Sequence, residues 1–333
     1  MAAKRVRIRE VAQRAGVSTG TVSNVLNHPD AVTAETRAHV LKVMEDMNFV
    51  RDASARALRV GSSQTFGVVV RDLSNSFYME LARGIEDRLA QDGFIMMMCS
   101  SDEDPERESR FVRLFAEQGV RGMLITPFHD TSEQIGLLNS LHIPTVLLDS
   151  SSQETQSVKV DHVDGAVQAI RHLLEQGHRR IGFINGPVSL LPCRERSEGT
   201  IRAVAGFGLD PDEVLVTTSV NVMTADSGQA AMAELLDQSE LTAVFCVNDF
   251  VAMGALRELR SRGLSIPSDV AIIGYDDVNF AKEMFVPLSS VRQPTHDLGW
   301  TAVEMLLKPN PQARHVSFQP QLIVRESSVF DRN

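Results

Sequence analysis

Four polar residues stand directly behind short apolar runs: Asp72 after "GVVVR", Asp149 after "TVLL", Asn248 after "VFCV" and Asp276 after "IIGY". If each run is a buried parallel strand, these residues sit at its carboxyl end, where open α/β sheets bind ligands. Carboxylates and an amide in one crevice exchange hydrogen bonds with hydroxyls and repel an anion. Taken singly, such an Asp equally well caps a helix or forms a turn, and the adjacent Asp249 and Asp277 are read that way. A second stretch, "AGVSTGTVSNVLN" (15–27), places the short side chains of Ser18, Thr19, Gly20 and Thr21 together. At a helix N-terminus they leave free N–H groups and the positive dipole end open to a phosphate.

The positioning elements follow from hydrophobic periodicity. Ile8, Val11, Ala12 and Ala15 repeat at helical spacing, Gly16 suits a left-handed turn, and Ser18 suits an N-cap. Val22, Val25 and Leu26 make the stripe of a second helix, and Thr33 caps a third with Val40, Val43, Met44 and Met47 inward. Two short helices around a tight Gly turn, backed by a third, are a helix-turn-helix. The bland alternative is a three-helix cap without a ligand. Beyond Gly61-Ser62-Ser63 the texture changes to "TFGVVV", "FIMMMC", "GMLIT" and "PTVLLD", then "RIGFIN", "EVLVTT", "TAVFCV" and "VAIIGY", each followed by a helical period. Two such series predict two doubly wound parallel sheets, covered on both faces.

Charge agrees with a polyanion contact confined to the head. Residues 1–60 hold ten Lys/Arg against six Asp/Glu, a formal +4, while the whole chain of 333 residues carries −10, leaving −14 on the rest. A solvated Arg face on an amphipathic helix would give the same count. No apolar run reaches membrane-spanning length, and the positively charged stretch "MAAKRVRIREVAQRAG" has no apolar h-region behind it, so it is not expected to act as a secretory signal. Three scattered cysteines, Cys99, Cys193 and Cys246, fit a reducing cytoplasm better than a disulfide framework. There is no zinc spacing, GxGxxG, P-loop, GxSxG or HExxH motif, so neither an enzyme, a metal nor a cofactor is expected. A secreted solute-binding protein would need a leader and no basic head.

"IREVAQRAGVSTGTVSNVLN", "VTAETRAHVLKVMEDMNF" and "ASARALR" resemble the head of the lac/gal repressor family of bacterial transcription regulators. The likeness runs on through "GVVVRDLSNSFYMELARGIED", "HRRIGFINGP", "FCVNDFVAMGAL", "DVAIIGYDD" and "VRQPTHDLG". It implies a helix-turn-helix domain over 1–50, a hinge helix and linker over 51–63, and an effector-binding, dimerising body of periplasmic-binding-protein type over 64–333. It further implies three crossings between lobes, one lobe taking about 64–160 and 291–318, the other 161–290 and 319–333.

Site roles follow by position. Thr19, Gly20 and Asn24 match base-reading positions, and Asn pairs bidentately with adenine. Leu58 matches the leucine wedged into a minor-groove step, with Arg56 beside it. Where the family often has Pro-Asn before this segment, the chain has Arg51-Asp52. In the body, Arg196, Asn248 and Asp276 match cleft ligands, and Phe77 and Met223 match wall positions, Phe77 being equally at home as core. With Asp72 and Asp149 this makes an acid-rich cleft around one arginine, which grips adjacent hydroxyls. A neutral sugar or sugar alcohol is the first expectation; a nucleobase or nucleoside stacked on Phe77 or Tyr78 is the alternative. His162, His178 and His296 are expected at the surface or as caps. The expected partners are a pseudo-palindromic operator and a second copy of the chain. No apolar heptad tail points to a tetramer.

Overall fold

The computed structural model describes residues 6–49, 63–150, 152, 155–308 and 315–329, and the chain divides into two units after Ser63. Arg56, Leu58 and the expected hinge helix lie outside the described residues.

The first unit contains α1 (Ile8–Ala15), α2 (Thr19–Asn27) and α3 (Ala34–Asp46). Gly16 ends α1 at φ 66°, a left-handed conformation that costs a residue with a Cβ. Ser18 accepts the Thr21 N–H at 3.0 Å and Thr33 accepts that of Thr36 at 3.3 Å, so both helices begin on side-chain caps. Val11, Ala12, Ala15, Val22, Val25, Val40 and Met44 form the buried centre, small enough that the helices cross closely.

The second unit is built on two six-stranded sheets. The first has the order β11-β5-β4-β3-β1-β2, from β1 (Thr65–Val70), β2 (Ile95–Ser100), β3 (Met123–Ile125), β4 (Thr145–Leu148), β5 (Gln156–Val160) and β11 (His315–Phe318). The second has the order β12-β10-β9-β8-β6-β7, from β6 (Ile181–Asn185), β7 (Leu215–Ser219), β8 (Ala243–Cys246), β9 (Ala271–Asp276), β10 (Ser289–Arg292) and β12 (Gln321–Ile323). Every pairing is parallel except β10 with β12. Central strands are buried along their length because helices cover both faces. At the first sheet's edge, β2 turns Ile95 and Met97 outward, 61% and 43% exposed.

Helices α4 (Ser76–Gln91), α5 (Pro105–Glu117) and α6 (Ser132–Ser140) follow strands of the first sheet. Those of the second are α7 (His162–Glu175), α8 (Leu191–Gly206), the single turn α9 (Pro211–Val214), α10 (Ala225–Gln238) and α11 (Asp249–Ser261). Although α12 (Thr295–Leu307) comes after the second lobe, its Leu298, Ala302, Val303 and Leu306 join the first lobe's core with Leu81 and Ile85 of α4. The chain therefore passes between lobes near 161, 293 and 319. The expected second crossing at 291 is corrected by two residues: Val291 and Arg292 pair with Tyr275 and Asp276 of β9, and Val291 is buried in the second lobe's core.

Candidate functional site

Between the lobes lies a cavity of about 270 Å³ at the carboxyl ends of both sheets. All seven residues singled out in the sequence line it: Asp72, Phe77, Asp149, Arg196, Met223, Asn248 and Asp276. Each arrives for a local reason. Asp149 and Asp276 end β4 and β9 at φ 50° and 102°. Positive φ is rare for residues with a Cβ and gathers at functional sites. Asn248 caps α11 through Oδ1, 2.8 Å from the Val251 N–H, leaving its NH₂ as the donor for a ligand. Arg196 projects from the first half of α8, its guanidinium 3.6 Å from the Tyr275 ring centroid and donating to the Val247 carbonyl.

The electrostatics centre on two buried carboxylates. Burial pushes the Asp149 pKa up, but His162, Arg71 and Arg196 outweigh it and hold it at about 2. Its Oδ1 lies 2.6 Å from His162 Nε2 and its Oδ2 3.7 Å from Arg71. Asp276 is the opposite case. Burial raises it to about 6 against the pull of Arg196 at 3.8 Å and of Gln293, whose Nε2 donates to Oδ1 at 2.6 Å. Within this network Arg196 Nε and Gln293 Oε1 are buried without a hydrogen-bond partner, the mark of a polar site built for more than packing.

His162 corrects an expectation. It is 1% exposed rather than at the surface, because it opens α7 where the chain leaves β5 and is enclosed between the lobes. Burial and Arg196 lower its pKa despite Asp149. The neutral ring therefore donates Nε2–H to Asp149 and accepts at Nδ1 from the Tyr275 hydroxyl at 3.1 Å. His178 is buried too, with Nδ1 3.0 Å from Thr242 Oγ1. His296 is half exposed at the start of α12, 3.1 Å from Asp87.

Other cleft residues were not read from the sequence. Arg71 is buried and donates to the Tyr78 hydroxyl at 2.7 Å, and Gln293 follows β10. Extending the strand-end rule to "SSVRQ" and "VKVDH" finds Gln293 and His162. Asp72 lines the cavity, yet both its oxygens hold Ser74 at 2.8 Å, so it also does the work of a turn. Asp249 and Asp277 have structural partners: Asp249 takes the Ser290 hydroxyl and Val278 N–H, and Asp277 pairs with Arg292 and Arg325.

In the head, Thr19, Gly20 and Asn24 are exposed on one side of α2. Ser18 and Thr21 bond each other at 2.9 Å across the cap. Among the described residues, no three His, Cys, Asp or Glu are grouped to hold a metal ion.

A helix-turn-helix unit joined in one chain to a two-lobed body with a polar cleft is the design of a ligand-responsive DNA-binding regulator. A profile of bacterial regulatory proteins of the lacI family matches residues 7–52, and one of periplasmic binding protein-like domains matches 170–328. The chain is 33% identical over 332 residues to the HTH-type transcriptional repressor PurR of Haemophilus influenzae (strain PittEE), covering 96% of this chain and 98% of that one. The crystal structure of the lac repressor dimer bound to operator and the anti-inducer ONPF matches at a TM-score of 0.85 and 27% identity, over 98% of this chain and 100% of that one. The complex of the transcriptional regulator CelR with cellobiose matches at 0.72 and 30% identity, over 97% and 100%. The chain belongs to the lacI family of bacterial regulatory proteins. It is a DNA-binding transcriptional repressor that answers to a small molecule, and not an enzyme.

Proposed function

We propose that the effector is a neutral sugar or sugar alcohol held between the lobes, and that it controls the affinity of a cytoplasmic homodimer for a pseudo-palindromic operator. The observation that carries the sugar is the wall formed by Arg196, Asp276 and Gln293. There one carboxylate is held between two donor side chains, beside the Asn248 amide. Neighbouring hydroxyls each donate to one such group and accept from another. Likeness to a regulator solved with cellobiose supports this choice.

Likeness to repressors named PurR favours the second reading, a nucleobase. Against it, Phe77 and Tyr78 pack edge to face on each other at 5.1 Å, and Arg71 lies 5.9 Å over the Tyr78 ring, so part of each ring already has a neighbour. A thermal-shift panel of monosaccharides, disaccharides, sugar alcohols, nucleobases and nucleosides separates the two, since a ligand of the folded state raises the melting temperature. Stabilisation by a nucleobase and by no sugar overturns the first reading.

Base reading is assigned to Thr19 and Asn24, with Gly20 allowing close backbone approach. Asn24→Ala is expected to relax preference at one base position and to cost about 1–3 kcal/mol. Arg7→Ala should weaken all sequences alike, through lost phosphate attraction. Selection from a randomised operator library distinguishes them; an unchanged preferred sequence in Asn24→Ala removes that residue from base reading.

Ile95 and Met97 on the edge strand β2 and Met79 on α4 are exposed apolar side chains suited to contact with a second copy. Light scattering at micromolar concentration should give a dimer. A stable monomer or a tetramer contradicts the proposal.

A further inference from the structure

Contacts between the lobes fall into two kinds. Near the first crossing, Asp149 meets His162, and Lys159 of β5 meets Glu195 of α8 at 2.6 Å. These groups are held close by the chain itself, which passes between lobes at β5. Phe128 is different. It follows β3, a strand from which the chain does not cross, separated from β5 by β4. Yet its side chain packs against the apolar cluster of the opposite lobe, which includes Leu190, Cys193, Val220 and Val247. No covalent path near β3 enforces this contact, so it exists only while the lobes are together.

The loop that presents Phe128 is anchored in an unusual way. Glu108 of α5 is fully buried, and its Oε2 accepts the Phe128 N–H at 3.0 Å. Its Oε1 has no hydrogen-bond partner and lies 3.7 Å from His129 Nδ1. Burying a carboxylate is costly, and burial pushes its pKa up while the Phe128 N–H pulls it down. An isolated packing position does not call for such a group; a loop whose backbone must be fixed does.

We propose that Phe128 is an apolar clasp that holds the two lobes together before any effector binds, and that Glu108 is the positioning residue that aims it. The clasp goes beyond the effector assignment and does not depend on the effector's identity. It sets the balance between closed and open cleft. An effector that favours the closed form then binds with an apparent affinity scaled by the fraction of molecules already closed.

The chain carries its own reporter. Cys193 and Cys246 both belong to the apolar cluster of the second lobe, 1% and 0% exposed, but only Cys193 also lines the cleft. Parting the lobes uncovers Cys193 alone; general loosening uncovers both. The test labels the full-length, effector-free protein with a thiol reagent and follows each cysteine by mass spectrometry. Phe128→Ala and Glu108→Ala should each speed Cys193 labelling about tenfold, which corresponds to about 1.4 kcal/mol, with Cys246 unchanged. Glu108→Gln keeps an acceptor for the Phe128 N–H and should stay within about twofold of the parent. Phe128→Leu, which retains most of the apolar bulk, should fall between and serves if the alanine variant does not fold. The clasp is overturned if Cys193 labelling is unchanged, or if Cys246 accelerates in parallel. Equal acceleration in Glu108→Gln and Glu108→Ala overturns the positioning role.

Discussion

Asp276→Asn should abolish the response of operator binding to effector and, in the same protein, raise the melting temperature at pH 7.5. Both effects come from one buried carboxylate at the end of β9, with Gln293 at 2.6 Å and Arg196 at 3.8 Å. Its folded-state pKa of about 6 lies above the ordinary value of 3.8. Between those limits the folded protein binds more protons than the unfolded chain, so this group erodes stability as pH rises from about 4 to 6 and leaves its full penalty above 6. Asn carries no charge and escapes that penalty, so the gain in melting temperature should be largest above pH 6 and fade towards pH 4. The same exchange removes the charged acceptor for a ligand hydroxyl. Hydrogen bonds to charged groups contribute about 1.5–3 kcal/mol, or roughly 10- to 150-fold in affinity. Thermal melts across pH, with operator binding titrated by the sugar found in the thermal-shift panel, test both halves. Retained response would take Asp276 out of the effector site, and a lower melting temperature at pH 7.5 would refute the burial argument. Arg196→Ala should lose the response as well, but it should destabilise the fold, because Arg196 also covers the Tyr275 ring and binds the Val247 carbonyl.

Gly254→Val is the most damaging substitution expected outside the cleft. A Cβ at Gly254 of α11 would stand 1.8 Å from the Ala225 carbonyl oxygen and 2.6 Å from the Gln229 nitrogen of α10. Facing it, a Cβ at Gly228 would stand 2.2 Å from the Val251 carbonyl oxygen. The obstacles are backbone, so the helices themselves must part. Overpacking commonly costs about 1–3 kcal/mol and sometimes more; a branched side chain here should exceed about 3 kcal/mol in urea unfolding. Since α11 begins beside Asn248, effector affinity should fall with stability. Gly136 of α6 is the control: nothing lies within 4 Å of its added Cβ, and Gly136→Ala should stabilise by about 0.5–1 kcal/mol. A Gly254→Val protein within 1 kcal/mol of the parent would contradict the packing argument.

How much of this was legible in the sequence depended on how local the cause was. Ser18 and Thr33 announce their helices because a cap concerns only three or four residues. Asp149, Asn248 and Asp276 could be read because parallel strands declare their carboxyl ends. His162 was misread, since one histidine after "KVD" says nothing of the opposite lobe that closes over it. The same holds for Phe128, whose partners are the product of how two sheets meet. "FIMMMC" reads as a buried strand, yet β2 is an edge, and strand order decides that. The second crossing was misplaced because Val291 and Arg292 look the same in either sheet until pairing with β9 assigns them.

The return of α12 and β11 to the first sheet has a consequence for synthesis. A chain leaves the ribosome from its amino end, yet the lobe begun first cannot be closed until most of the second lobe has been made. Strands β6 to β9 and the helices between them are contiguous, so much of the second lobe can fold as it emerges. The first lobe must wait for residues 295–318, and until then Leu81 and Ile85 of α4 lack the cover of Leu298 and Ala302. A nascent chain that has emerged as far as residue 290 therefore presents four of the six strands of the second sheet beside an unsealed first lobe. During translation, exposed apolar surface and the demand for chaperones should concentrate in the half of the body that was made earliest.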